Sequence, residues 1–64
     1  MRETALRARL EKHLGYPYVL AWSETVALAG VGHRTVTQAL AAGVPCGQIW
    51  RAAWEALELT EHDR

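Results

Sequence analysis

A chain of 64 residues with seven basic and seven acidic side chains has no net charge, so phosphate neutralisation, the usual mainstay of nucleic-acid affinity, has no overall basic excess behind it. At 50% apolar and 22% charged residues the chain should fold, yet a domain this small buries only about 60% of its unfolded surface, and a partner would help it. Its lone Cys46 excludes an internal disulfide and points to the cytosol, because short chains in oxidising compartments usually pair their cysteines.

The N-terminus, Met1-Arg2-Glu3, is charged with no apolar run behind it, which argues against a signal peptide. Leu6, Leu10 and Leu14 recur at i, i+4 and i+8, so the spacing predicts a first helix over about 2–14 with one leucine face. Glu3 and Arg7 stand at i, i+4 on its surface with the acid first, the better orientation. Gly15 then ends the helix and Pro17 opens the next. Val19, Trp22, Val26 and Ala29, widened by Leu20 and Leu28, predict a second helix over about 17–29. The apolar run from Tyr16 to Trp22 contains a proline and falls far short of the roughly 20 residues that cross a bilayer.

Gly30 and Gly32 mark a turn. Thr35-Val36-Thr37-Gln38 reads as a capping box opening a short third helix, about 36–42, which Gly43 ends in a left-handed conformation. After Val44 and Pro45 a fourth helix is expected over about 46–59, with Ile49, Trp50, Ala53 and Leu57 as its stripe and Trp54 beside it. Residues 60–64 are polar and expected to fray. No segment alternates with period two. The expectation is one all-α domain over 1–64, a small orthogonal bundle of four short helices whose last two resemble a helix-turn-helix.

The chain resembles a short actinobacterial protein family of unknown function. The residues that carry the likeness are Met1-Arg2, Leu14-Gly15 with Tyr18, Gly32 with Arg34-Thr35-Val36, Ala39 to Val44, Trp50-Arg51-Ala52 and Leu57. His33 interrupts a Gly-Arg-Thr triplet, and the acidic cap that usually precedes the last helix is replaced within Val44 to Gln48. The resemblance implies a gene neighbourhood near the recombinase and its regulator, and no activity.

Candidate chemistry divides into binding surfaces and discarded sites. Trp50 and Trp54 lie at i, i+4, about 40° apart around the last helix. An exposed tryptophan beside Arg51 has the composition of an interface hot spot, and a wide core stripe is the competing reading. Ala39, Gly43, Val44 and Ile49 match the small, turn and apolar positions of a helix-turn-helix over 36–57, whose outward polar groups would be Gln48 and Arg51, joined by Arg34. Arg34 beside the Thr35 cap is also placed to hold an anion, although pairing with an acid on the first or fourth helix is the preferred reading. His13, at the edge of the leucine face, His33, His62 and Cys46 are scattered without metal-ligand spacing, and Glu58 with His62 would chelate only weakly. Cys46 with His33 lacks a third group to orient a base, so no catalytic residue is assigned.

The composite expectation is a cytoplasmic, non-enzymatic protein–protein interaction module, or a homodimer, using Trp50, Arg51 and Trp54. It needs no cofactor, metal, membrane or small-molecule substrate. The alternative is an accessory DNA-binding protein using residues 36–57 with Arg34, Gln48 and Arg51.

Overall fold

The computed structural model describes residues 1–58. Among them are four α-helices and no strand: α1 (Glu3–Leu14), α2 (Tyr18–Thr25), α3 (Val36–Ala41) and α4 (Cys46–Ala56), with a 3-10 turn at Ala29–Val31 between α2 and α3. The domain is all-α, as its periodicities predict.

Local chemistry accounts for most of the boundaries. Leu6 and Leu10 are fully buried and Leu14 packs at the core edge, so the leucine face of α1 is its inner face. Glu3 and Arg7 pair at 3.2 Å with both side chains about half exposed, where solvent screening leaves little net stabilisation. Gly15 ends α1 at φ +80°, its N–H donating to the Glu11 carbonyl at 2.7 Å.

The capping box of α3 forms in both directions. The Thr35 hydroxyl accepts from the Gln38 N–H at 3.1 Å, and the Gln38 side-chain carbonyl accepts from the Thr35 N–H at 3.0 Å. The helix stops at Ala41, a residue before the predicted 42, and Gly43 follows at φ +80°. The Gly43 N–H donates to Leu40 and the Val44 N–H to Ala39, the paired bonds of a Schellman turn. That turn swings the chain directly into α4.

The second helix departs from the prediction. It ends at Thr25 and not near 29, and the chain leaves it with extended conformations at Val26 (ψ 115°) and Leu28 (ψ 121°). The physical reason is burial. The excursion drops Leu28 into the middle of the core, fully buried, and brings Val31 in beside it. The backbone groups released from the helix find partners. The Leu28 N–H donates to the Arg34 carbonyl at 2.9 Å, and the Leu28 carbonyl accepts from the N–H groups of His33 and Val31 at 2.9 and 3.2 Å. Thr25 marks the exit, its hydroxyl donating back to the Ala21 carbonyl at 2.7 Å, a bond that competes with helix continuation. In consequence Ala29, predicted to face inward, is exposed; Leu20, also predicted inward, is exposed within α2 itself.

α4 begins at Cys46, as expected, and buries Ile49, Trp50, Ala52 and Ala53. It packs on α1, on α3 and on the 3-10 turn. It ends at Ala56 and not near 59, because Glu58 turns left-handed at φ 54° and bonds to the Glu55 carbonyl in a tightened last turn. The tail expected at 60–64 lies outside the described residues. Thr37 adds a side-chain tie between layers, its hydroxyl donating to the Ser23 carbonyl of α2 at 3.2 Å.

The 3-10 turn sits on α4 at a close approach. A β-carbon on Gly30 would stand 2.9 Å from that of Ala52, an atom with no freedom to move aside. Gly30→Ala should therefore cost about 1–3 kcal/mol of stability through overpacking. Gly47→Ala, at an open helical position, should gain about 0.5–1 kcal/mol. Urea unfolding of both variants measures this, and a Gly30→Ala protein as stable as the parent would show that the turn does not rest on α4.

Candidate functional site on the last helix

The two tryptophans of α4 occupy different environments. Trp50 is only 5% exposed. Its ring stacks on His13 with centroids 5.8 Å apart and planes 26° from parallel, and the Arg9 guanidinium carbon lies 5.5 Å from the ring centroid. Arg9 and His13 stand at i, i+4 on α1, so one turn of that helix covers the indole with a cation and a second ring. The indole Nε1 is buried without a hydrogen-bond partner among the described residues, which costs about 1–3 kcal/mol and is borne by the ring's burial. Trp50 thus pins α4 to α1.

Trp54 is half-buried at the edge of the same core. Together with Trp50, Gly47 and Arg51 it lines a recess of about 190 Å³. Positions 47, 50, 51 and 54 share one face of an α-helix, and Gly47, which has no side chain, leaves the upper end of that face open. Arg51 is exposed and forms no ion pair or side-chain hydrogen bond with any described residue, although Glu55 follows it at i+4. The recess is therefore walled by aromatic carbon and edged by an uncommitted guanidinium. That combination suits a carboxylate next to an apolar group.

The other predicted site residues are dispersed. Gln48 is exposed on α4, three positions before Arg51. Arg34 does not pair with an acid on α1 or α4; its Nη1 donates to the Val31 carbonyl at 3.4 Å, within its own loop. Cys46 is half-buried at the start of α4, and His33 is exposed in the loop at φ 60°. No three His, Cys, Asp or Glu side chains converge among the described residues. His62, and with it the Glu58–His62 spacing, lies outside them.

Sequence reasoning missed two features. The covering of Trp50 by Arg9 and His13 was signalled only by their i, i+4 spacing beside the leucine face. The exposure of Tyr16, Tyr18 and Leu20 carried no signal, because their apolar character fits a core stripe equally well.

A four-helix, all-α domain of minimal size, with an aromatic and cationic recess on its last helix, is the class that the fold and site define. The chain belongs to the family described as protein of unknown function (DUF3046), whose pattern matches residues 1–62. No curated protein and no solved structure matches it. No helix among the described residues is long and apolar enough to cross a membrane.

The division of labour between the tryptophans is measurable. Trp50→Ala removes a buried indole, a loss of about 3–5 kcal/mol, which equals the whole stability of a domain this small. It should be unfolded by circular dichroism at room temperature. Trp54→Ala should stay folded, losing about 1–2 kcal/mol, since its ring lies at the core's edge and is only partly buried.

Proposed function

We propose that this protein is a cytoplasmic, non-enzymatic protein–protein interaction module whose docking face is the Gly47–Arg51–Trp54 side of α4. The observation that carries the reading is the exposed, uncommitted Arg51 between two indoles at a recess of about 190 Å³. Arginine and tryptophan are the residue types most enriched among side chains that dominate binding energy. The described residues that line the recess are Gly47, Trp50, Arg51 and Trp54, groups of the kind that recognise a surface, which supports a binding role. The matching partner presents a carboxylate beside an apolar side chain, which Arg51 and Trp54 respectively engage. The lone half-buried thiol of Cys46 supports a reducing compartment.

The test is site-specific photocrosslinking in the producing cell. A photoreactive side chain at position 47, where there is open space for one, should yield a dominant adduct with a single protein. Arg51→Glu should abolish that adduct, and with the purified partner both Arg51→Glu and Trp54→Ala should weaken affinity at least about tenfold. Adducts no stronger than those from a probe at exposed Lys12, or indifferent to Arg51→Glu, would sink the reading.

A second reading draws on the α3–α4 junction. Its Schellman turn and the exposed Gln48 and Arg51, at i, i+3 on α4, favour an accessory DNA-binding role for residues 36–57. Duplex binding followed by fluorescence anisotropy across a salt series addresses it. If Arg51 contacts phosphate, Arg51→Ala should reduce the slope of log affinity against log salt by about one. Binding that is absent at low salt, or unchanged by Arg51→Ala, removes this reading.

A further inference from the structure

Among the described residues, exposed large apolar side chains also gather away from α4. Tyr16, Tyr18 and Leu20 are 70%, 60% and 49% exposed and fall within one short stretch at the start of α2. Tyr16 and Leu20 also line a cleft of about 190 Å³ between α1 and α2, whose deeper walls are the buried Leu10 and Val19. Arg7 and Glu11 edge this cleft from α1, one turn apart. Arg7 leans on Glu3 through its Nε, whereas the Glu11 carboxylate forms no ion pair with any described residue.

We propose that this cleft is the interface of a homodimer, formed by two α1–α2 faces related by a two-fold axis. Charge complementarity selects a second copy as the occupant. A face with a cation and an anion one helical turn apart matches itself when rotated by 180°. Antiparallel apposition of two α1 helices sets each Arg7 against the other chain's Glu11, and both pairs form at once. The same rotation brings the exposed Tyr16 and Leu20 of each chain over the apolar cleft of the other. A net charge of zero means that the copies approach without mutual repulsion. The α4 recess takes no part in this contact, so the proposal stands or falls independently of the partner-binding reading.

Sedimentation equilibrium of the full chain from micromolar to millimolar concentration tests it. The parent protein should be a reversible dimer, and Leu20→Glu should be monomeric throughout with an unchanged circular dichroism spectrum. Glu11→Arg, which opposes like charges at both ends, should weaken association about tenfold or more. The double variant Arg7→Glu/Glu11→Arg restores the pairing with signs exchanged, and should return to within about threefold of the parent. Crosslinking from position 47 should be the same in Leu20→Glu as in the parent. A parent protein that stays monomeric to millimolar concentration overturns the proposal. So does a dimer that survives Leu20→Glu but dissociates in Trp54→Ala, or one that the charge-exchanged double variant fails to restore.

Discussion

The seating of the 3-10 turn on α4, at Gly30 against Ala52, is the contact on which the other packing relations depend. A chain this short has few helices with which to surround a core, and α4 supplies the core's most continuous face through Ile49, Trp50, Ala52 and Ala53. α1 covers one flank of it and α3 another. The remaining flank is closed by a loop, and a loop brings backbone polar groups that must be satisfied before it can lie on apolar surface. Residues 28–34 meet this demand by bonding to themselves: Leu28 to Arg34, and His33 and Val31 to Leu28. Only then can Leu28 and Val31 enter the interior, and only a residue without a β-carbon lets the turn come so near Ala52.

That arrangement explains why the fold was legible in some places and not in others. Boundaries set by a few adjacent residues could be read directly. Gly15, the Thr35–Gln38 box, Gly43 and the start at Cys46 all act within one helical turn, where local hydrogen bonding decides the conformation. The end of α2 could not be read this way. Val26 and Ala29 continue the helical period of Val19 and Trp22, so the pattern alone extends the helix. What overrides it is the gain from burying Leu28 completely, a long-range effect with no local sign except the two glycines that follow. Leu20 was misplaced because periodicity assigns a face without stating what stands opposite. The end of α4 was overextended because Glu58, not a glycine, adopts the left-handed conformation there.

The candidate site shows a similar division. That Trp50, Arg51 and Trp54 form one cluster was evident from their spacing, and they do meet around a single recess. Which indole is interior was not evident, because two rings about 40° apart on a helix both fit a wide stripe. The deciding element is α1, which passes Trp50 with Arg9 and His13 and leaves Trp54 at the edge. Trp50 therefore makes the site by fixing the helix on which Arg51 and Trp54 are presented. The orphaned Nε1 fits this role: the ring is held by packing and by stacking, with no directional bond that a different orientation would preserve.

The two exposed regions that remain differ in character, and the difference bears on how so small a domain is used. At the α4 recess the Arg51 cation has no counterion among the described residues, so complementarity comes from a surface of opposite sign. At the α1–α2 cleft both signs are present a helical turn apart, so the surface is complementary to itself. A small domain gains most from covering the face that carries Tyr16 and Leu20, because this is apolar area that its described residues leave exposed. Closing that face with a second copy leaves α4 free on each subunit. Each Arg51–Trp54 edge then engages its partner as a single contact, whether or not the α1–α2 face is closed, so the two surfaces serve separate ends: one completes the fold and the other recognises.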